Sequence, residues 1–144
     1  FKIFKFRTMK KIELTPEQIE ELNEKSKVVF KSKKDPRITK FGSFLRKSSI
    51  DELPQIINIL KNEMSFIGPR PPIPEEVLKY EIKHLKRVSV KPGITGLWQV
   101  TLRQDNDFDK WVQKDIEYID NWSIFLDIKI ALKTFKEIIN LSGD

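Results

Sequence analysis

The sequence predicts an α+β fold: a mainly helical single domain with a few short strands. Three observations carry this. Six segments combine helix-start signals or apolar residues at three- and four-residue spacing. The strand-like runs are few and short. The chain is 144 residues long with no cysteine, a length that fits one domain folding without disulfides.

The elements follow in order. Phe1–Met9 reads FKIFKFRTM; its near alternation of apolar and basic residues predicts a strand with one wet face. Thr15-Pro16-Glu17-Gln18 has the pattern of a capping box with proline at the first helical position, so a short polar helix runs to about Lys25. Lys25–Lys34 reads as a mobile, lysine-rich connector. Asp35-Pro36-Arg37 begins a turn, and Thr39 caps a helix carrying Phe41, Phe44 and Leu45, with Arg46 and Lys47 near its end.

In SSIDELPQIINILKN, Ile50, Leu53, Ile57 and Leu60 follow helical spacing and predict a buried stripe. Ser49 and Glu52 fit a capping box. Pro54 lacks an N–H and crowds the preceding turn, so a start near Leu53 is the alternative. Either way Asp51 and Glu52 stand at a helix N-terminus. Met64–Ile67 is a short apolar run, and Gly68-Pro69-Arg70-Pro71-Pro72 is a stiff extended turn. Pro74 opens a helix to about Lys86, with Val77, Leu78, Ile82 and Leu85 inside. Val88–Val90 and Leu97–Val100 read as strands around the Lys91-Pro92-Gly93 turn. Asp107–Tyr118 and Ile124–Leu141 read as helices, the second with a stripe of Phe125, Ile128, Leu132, Phe135 and Ile139.

Composition removes several function classes. Without cysteine there is no thiolate metal site and no cysteine nucleophile, and one histidine cannot build a multi-histidine centre. No run of about 18 apolar residues spans a bilayer. The net charge of +6 is uneven. Residues 1–50 hold 14 basic and 6 acidic side chains, residues 105–144 hold 5 and 9. A basic N-terminal third suits an anionic partner (nucleic acid, a phosphorylated ligand or acidic lipid headgroups) or a merely solvated face.

Asp51 and Glu52 repel each other, and a helix N-terminus or a divalent cation would offset that. Such a pair could hold Mg²⁺ through one oxygen each, or supply a carboxylate that attacks phosphorus; plain helix capping is the alternative. Arg70 projects from a backbone stiffened by Pro69 and Pro71, a placement that suits bidentate phosphate binding as well as a solvated loop. Arg46, Arg103, Lys5 and Arg7 could face the same carboxylates or form surface ion pairs. His84 reads as structural or surface. Trp98, Trp111 and Trp122 read as core or interfacial anchors rather than stacking platforms for nucleic acid.

Taken together, KFRTM (5–9), DPRITKFGSFLRKSSIDELPQ (35–55), MSFIGPRP (64–71), PGITGLWQV (92–100) and YIDNWSIFLDIKIALKT (118–134) resemble the bacterial sugar transferase family. These are the polyprenyl-phosphate sugar-1-phosphate transferases, or monotopic phosphoglycosyl transferases. The resemblance implies transfer of a sugar-1-phosphate from a UDP-sugar to undecaprenyl phosphate, with release of UMP and with Mg²⁺. The expected place is the cytoplasmic face of the bacterial inner membrane, with amphipathic helices on the membrane surface. By resemblance Asp51 is the nucleophile, Glu52 with Asp51 the metal ligands, and Lys5, Arg7, Arg46, Arg70 and Arg103 the phosphate-binding cations.

Around Arg103 the family usually has Gly-Arg, where this chain has Leu102-Arg103. Family members also carry an N-terminal membrane-dipping segment ahead of KFRTM. The chain, starting at Phe1, is therefore expected to be the catalytic part, residues 1–144, without that anchor. Membrane lipids are expected partners, nucleic acid is not, and a homodimer is left open. A non-catalytic membrane-surface module derived from the family is the competing reading.

Overall fold

The computed structural model describes residues 1–23, 29, 32, 35–103 and 105–140. Most of the connector expected at Lys25–Lys34 lies outside them; of its residues Val29 and Ser32 are described, and both are buried. The architecture is a mainly helical α+β domain. Its α-helices are α1 (Pro16–Leu22), α2 (Lys40–Lys47), α3 (Ile56–Leu60), α4 (Pro74–Val77), α5 (Phe108–Asp120) and α6 (Ile124–Ile139). Two 3₁₀ helices cover Ile50–Gln55 and Ile82–Val88. Strands β1 (Ser65–Ile67) and β2 (Gly93–Thr95) pair in parallel, Ser65 opposite Gly93 and Ile67 opposite Thr95. α6 lies against both strands, α5 against the Ile82–Val88 helix, and α2 against the Ile50–Gln55 helix.

The caps at Thr15 and Thr39 form as their sequences predict. Thr15 and Gln18 exchange both capping bonds, and the Thr39 hydroxyl accepts from the Gly42 N–H at 2.8 Å. Gly42 is required for packing: a Cβ there would lie 2.0 Å from the Thr8 carbonyl oxygen, so α2 could not approach the N-terminal segment. Gly93 is required in the sheet, where a Cβ would meet the Gly68 nitrogen at 2.2 Å.

Several sequence expectations are corrected. Phe1–Met9 is extended but is no strand; its one ladder contact is the bridge from Met9 to Ile38. The helix expected through Lys86 stops at Val77 and resumes as 3₁₀ at Ile82, leaving Leu78 and Ile82 on the surface. The second strand is Gly93–Thr95 rather than Val88–Val90 or Leu97–Val100. The Pro92 carbonyl accepts from Ser65 N at 2.8 Å and the Thr95 carbonyl from Gly68 N at 2.9 Å, which sets the register.

The apolar core holds Val29, Trp98, Phe108, Trp111 and Val112. Trp98 and Trp111 stack at 4.6 Å between ring centroids. His84 is buried beside this core: its Nδ1 accepts from the Glu81 N–H at 3.1 Å and its Nε2 lies 2.9 Å from Asp109 Oδ1. Trp122 is the exposed tryptophan, held by Asp127 at 3.2 Å. Among the described residues no helix is long and apolar enough to cross a membrane.

Candidate active site

The site is built on the stretch Ser49–Leu60, and its local structure follows from Pro54. Ser49 adopts φ 57°, a left-handed conformation, and makes no side-chain cap, so the expected capping box does not form. The chain turns sharply out of α2 and enters a 3₁₀ helix. In a 3₁₀ turn the Asp51 carbonyl would accept from the residue three positions on, but that residue is Pro54, which has no N–H. The Phe6 N–H takes the place instead, at 3.0 Å.

Asn58, fully buried, completes this docking. Its side chain accepts from Phe4 N at 3.0 Å and donates to the Lys2 carbonyl at 2.8 Å and to Glu63 at 2.7 Å. A side chain thus substitutes for a missing strand partner. The N-terminal segment is drawn along the 3₁₀ helix, and Lys5 Nζ reaches Glu52 Oε1 at 2.6 Å.

The burial pattern of this element inverts the sequence expectation. Asp51, Gln55 and Asn58 are buried, whereas Leu53, Ile57 and Leu60 are exposed, Leu60 to 82%. The apolar stripe of α6 is likewise outward: Phe125, Ile128, Leu132, Phe135 and Ile139 are all exposed, and Ile130 is its buried residue. Helical spacing identified both stripes but not the side on which they lie.

Asp51 is 7% exposed. Burial pushes its carboxyl above the usual value, Lys5 and Arg46 draw it back down, and Glu52 raises it further. Lys5, Arg46 and Glu52 thus all act on Asp51. Arg103 stands with Glu52 on the wall of an open groove of about 200 Å³. The rest of that wall is largely apolar, with Leu53, Ile56, Phe66, Ile94 and Ile138 among its residues. Thr95 and Thr134, both on its wall, bond to each other at 2.8 Å and fasten α6 to β2.

Arg70 is placed differently. Its Nη1 donates to Glu76 at 2.9 and 3.3 Å, and its charge is felt by Tyr80 and Asp115. Arg7 is exposed on the N-terminal segment. Sequence reasoning missed Asn58 and Glu76. Asn58 gave no signal, being a polar residue inside an apolar run; Glu76, two residues after the Pro74 helix start, did carry a first-turn signal.

The carboxylates that could hold a divalent cation are those of Asp51 and Glu52; no cluster of three or more acidic, cysteine or histidine ligands occurs among the described residues. Two carboxylates suit Mg²⁺, which keeps waters and substrate phosphates in its shell, and do not suit a cation needing a full protein cage. Glu52 is paired with the Lys5 ammonium at 2.6 Å.

Two carboxylates thus stand at a sharp turn, with cations acting on them and a largely apolar groove beside them. The family model for bacterial sugar transferases matches residues 1–141, and the chain belongs to that family. It is 48% identical over 99% of its length to the galactosyl transferase CpsE of Streptococcus agalactiae. It is 47% identical over 79% of its length to the undecaprenyl-phosphate galactose phosphotransferase of Salmonella typhimurium. A third relative, 41% identical over 96% of the chain, is the UDP-glucose:undecaprenyl-phosphate glucose-1-phosphate transferase of Xanthomonas campestris. The chain spans 32%, 24% and 28% of these three proteins' own lengths, respectively.

Proposed function

We propose that this protein transfers a sugar-1-phosphate from a UDP-sugar to a polyprenyl phosphate, the first membrane step of bacterial surface-glycan assembly. The observation that carries the reading is Asp51: a buried carboxylate beside a second one, in the field of Lys5 and Arg46. The relatives' names supply the substrate classes.

In this mechanism an Asp51 oxygen attacks the β-phosphorus of the UDP-sugar. The bond from that phosphorus to the bridging oxygen breaks, and UMP leaves with the electron pair. A phosphate oxygen of the lipid then attacks the same phosphorus and displaces the Asp51 carboxylate, giving a lipid-linked diphosphosugar. One small site thereby serves two unlike substrates in turn.

Lys5 and Arg46 keep Asp51 ionised and, with Arg103, meet the charge that builds on the transferred group. Burial strips water from the attacking carboxylate. Glu52 and Asp51 would hold Mg²⁺, which supplies neutralising charge for the departing phosphate. The groove gives the isoprenoid chain an apolar wall next to the carboxylates. The outward stripes on Leu53–Leu60 and α6 suit the lipid surface where such an acceptor resides, at the cytoplasmic face of the inner membrane.

The test is a burst assay. With UDP-sugar and Mg²⁺ but no lipid acceptor, the protein should release about one UMP per molecule before stopping. Asp51→Asn should reduce that burst by at least about 10³-fold. An undiminished burst from Asp51→Asn removes Asp51 as nucleophile, and no UMP from any UDP-sugar refutes the transferase reading.

A further inference from the structure

The reaction scheme above gives Asn58 no part, although this residue is fully buried and both polar atoms of its side chain are engaged. Oδ1 accepts from the Phe4 N–H at 3.0 Å. The two hydrogens of Nδ2 go to the Lys2 carbonyl at 2.8 Å and to Glu63 at 2.7 Å. Glu63 fixes which way the amide points: an ionised carboxylate only accepts, so Nδ2 faces it and Oδ1 faces Phe4. Glu63 is itself set by Asn62, whose left-handed φ of 62° turns the chain back, and the Glu63 N–H donates to the Asn58 carbonyl at 2.9 Å.

These bonds set a register. In an extended chain the backbone groups of alternate residues share one edge. The Lys2 carbonyl and the Phe4 N–H meet Asn58, the Phe6 N–H meets the Asp51 carbonyl, and the Thr8 carbonyl accepts from the Thr39 N–H at 3.1 Å. Lys2, Phe4, Phe6 and Thr8 thus turn their backbone groups to the domain, and Lys5 falls between two of them, its ammonium 2.6 Å from Glu52. A slip of one residue would bring Phe4 or Phe6 to the place of Lys5 and send the lysine to the other face. Phe1, Phe4 and Phe6 are all exposed, so burial of side chains does not choose between the two registers. The choice falls to the backbone bonds, and Asn58 supplies two of them.

We propose that Asn58 is a positioning residue for Lys5: its side chain holds the N-terminal segment in the register that sets the ammonium on Glu52, beside Asp51. This rests on the transferase reading. The competing role, a residue that only holds the domain together, does not fit the groups that Asn58 binds. Lys2 and Phe4 are exposed, so water takes over their bonds when the Asn58 amide is lost. The segment then shifts locally while the fold remains. A charge displaced by about 1 Å is enough to slow a reaction that depends on its placement.

The experiment is a double-mutant cycle on steady-state UMP release in lipid nanodiscs holding undecaprenyl phosphate, with hydrogen exchange of the Phe4 and Phe6 amides measured alongside. Lys5→Met should lower kcat on the order of 10²-fold. Asn58→Ala should lower kcat on the order of tenfold, with KM for the UDP-sugar within about threefold of wild type. It should also speed exchange at both amides while the amides of α5 keep their protection. In the Lys5→Met background, Asn58→Ala should change kcat by less than about twofold, because a residue acting through another adds nothing once that one is gone. A full tenfold loss in that background, or a Phe6 amide that stays protected in Asn58→Ala, overturns the proposal. If Asn58→Ala does not fold, Phe4→Pro decides. Proline removes the N–H that Asn58 accepts and leaves every buried side chain in place. Phe4→Pro should lose about tenfold in kcat, whereas Phe4→Ala, which keeps the N–H, should stay within about twofold of wild type; equal losses from the two overturn the proposal. Failure of the wild type to release UMP would refute the transferase reading itself, whereas an active wild type with additive losses refutes the positioning role alone.

Discussion

The domain has two halves that obey opposite rules. Around α5, apolar residues are inside: Trp98, Phe108, Trp111 and Val112 are buried, and the Arg87–Asp115 ion pair is enclosed with them, while Ile82, Leu85 and Val88 on the neighbouring 3₁₀ helix face out. Around Ser49–Leu60, polar residues are inside and apolar ones face out. Backbone strain follows the same division. The two non-glycine residues with left-handed φ among those described, Ser49 at 57° and Asn62 at 62°, bracket the site element. One half is organised for stability. The other keeps a buried carboxylate, a strained turn and an exposed apolar face, none of which helps an isolated domain to fold.

The largest effect on folding should therefore come from the stable half. Arg87→Met leaves Asp115 buried without its partner and should cost about 3–5 kcal/mol. Replacing both, Arg87→Met with Asp115→Leu, should recover most of that loss, since a packed apolar pair avoids desolvating two charges. Arg46→Ala, in the site half, should cost under about 1 kcal/mol while still slowing UMP release. Urea midpoints measure all three. Equal losses for Arg87→Met and Arg46→Ala would erase the proposed division.

A smaller effect is expected in the pH dependence. In the proposed mechanism Asp51 must be ionised to attack, and burial raises its carboxyl above the ordinary value of 3.8. The UMP burst rate should therefore fall on acidification, tenfold per unit below a midpoint lying above that value. Lys5→Met or Arg46→Ala removes a cation that lowers the midpoint, so the acid limb should move to higher pH. A limb that stays put or moves to lower pH would mean that neither cation acts on Asp51.

How far the sequence could be read follows the same division. The caps at Thr15 and Thr39, the helices α5 and α6 and the carboxylate pair were legible, because capping and periodicity are local. Three features were not. The direction of the apolar stripes depends on what the domain is packed against. The docking of Phe1–Met9 depends on Asn58, some 54 residues from Phe4. The partner of Arg70 depends on how the Gly68–Pro72 turn is folded back on α4. The family motifs identified the family without showing any of these placements. Helical spacing places Ile57 and Leu60 on one face as plainly as it does Trp111 and Asp115, yet only the second pair is buried.

The finest test of the comparison is Ser49→Gly. Serine in the left-handed region costs about 1–2 kcal/mol relative to an ordinary conformation, and nothing caps the helix in return. Glycine removes that strain but gives the unfolded chain more freedom, worth about 0.5–1 kcal/mol in the other direction. The net change in stability should be a gain of between zero and about 1.5 kcal/mol. The same substitution loosens the turn that sets Asp51 and Glu52 against Lys5. If the strain serves only to end α2, activity should follow stability and rise or stay level. If the strain holds the carboxylates in place, the burst rate should fall while the urea midpoint rises, the opposite signs expected of a site half that gives up stability for geometry.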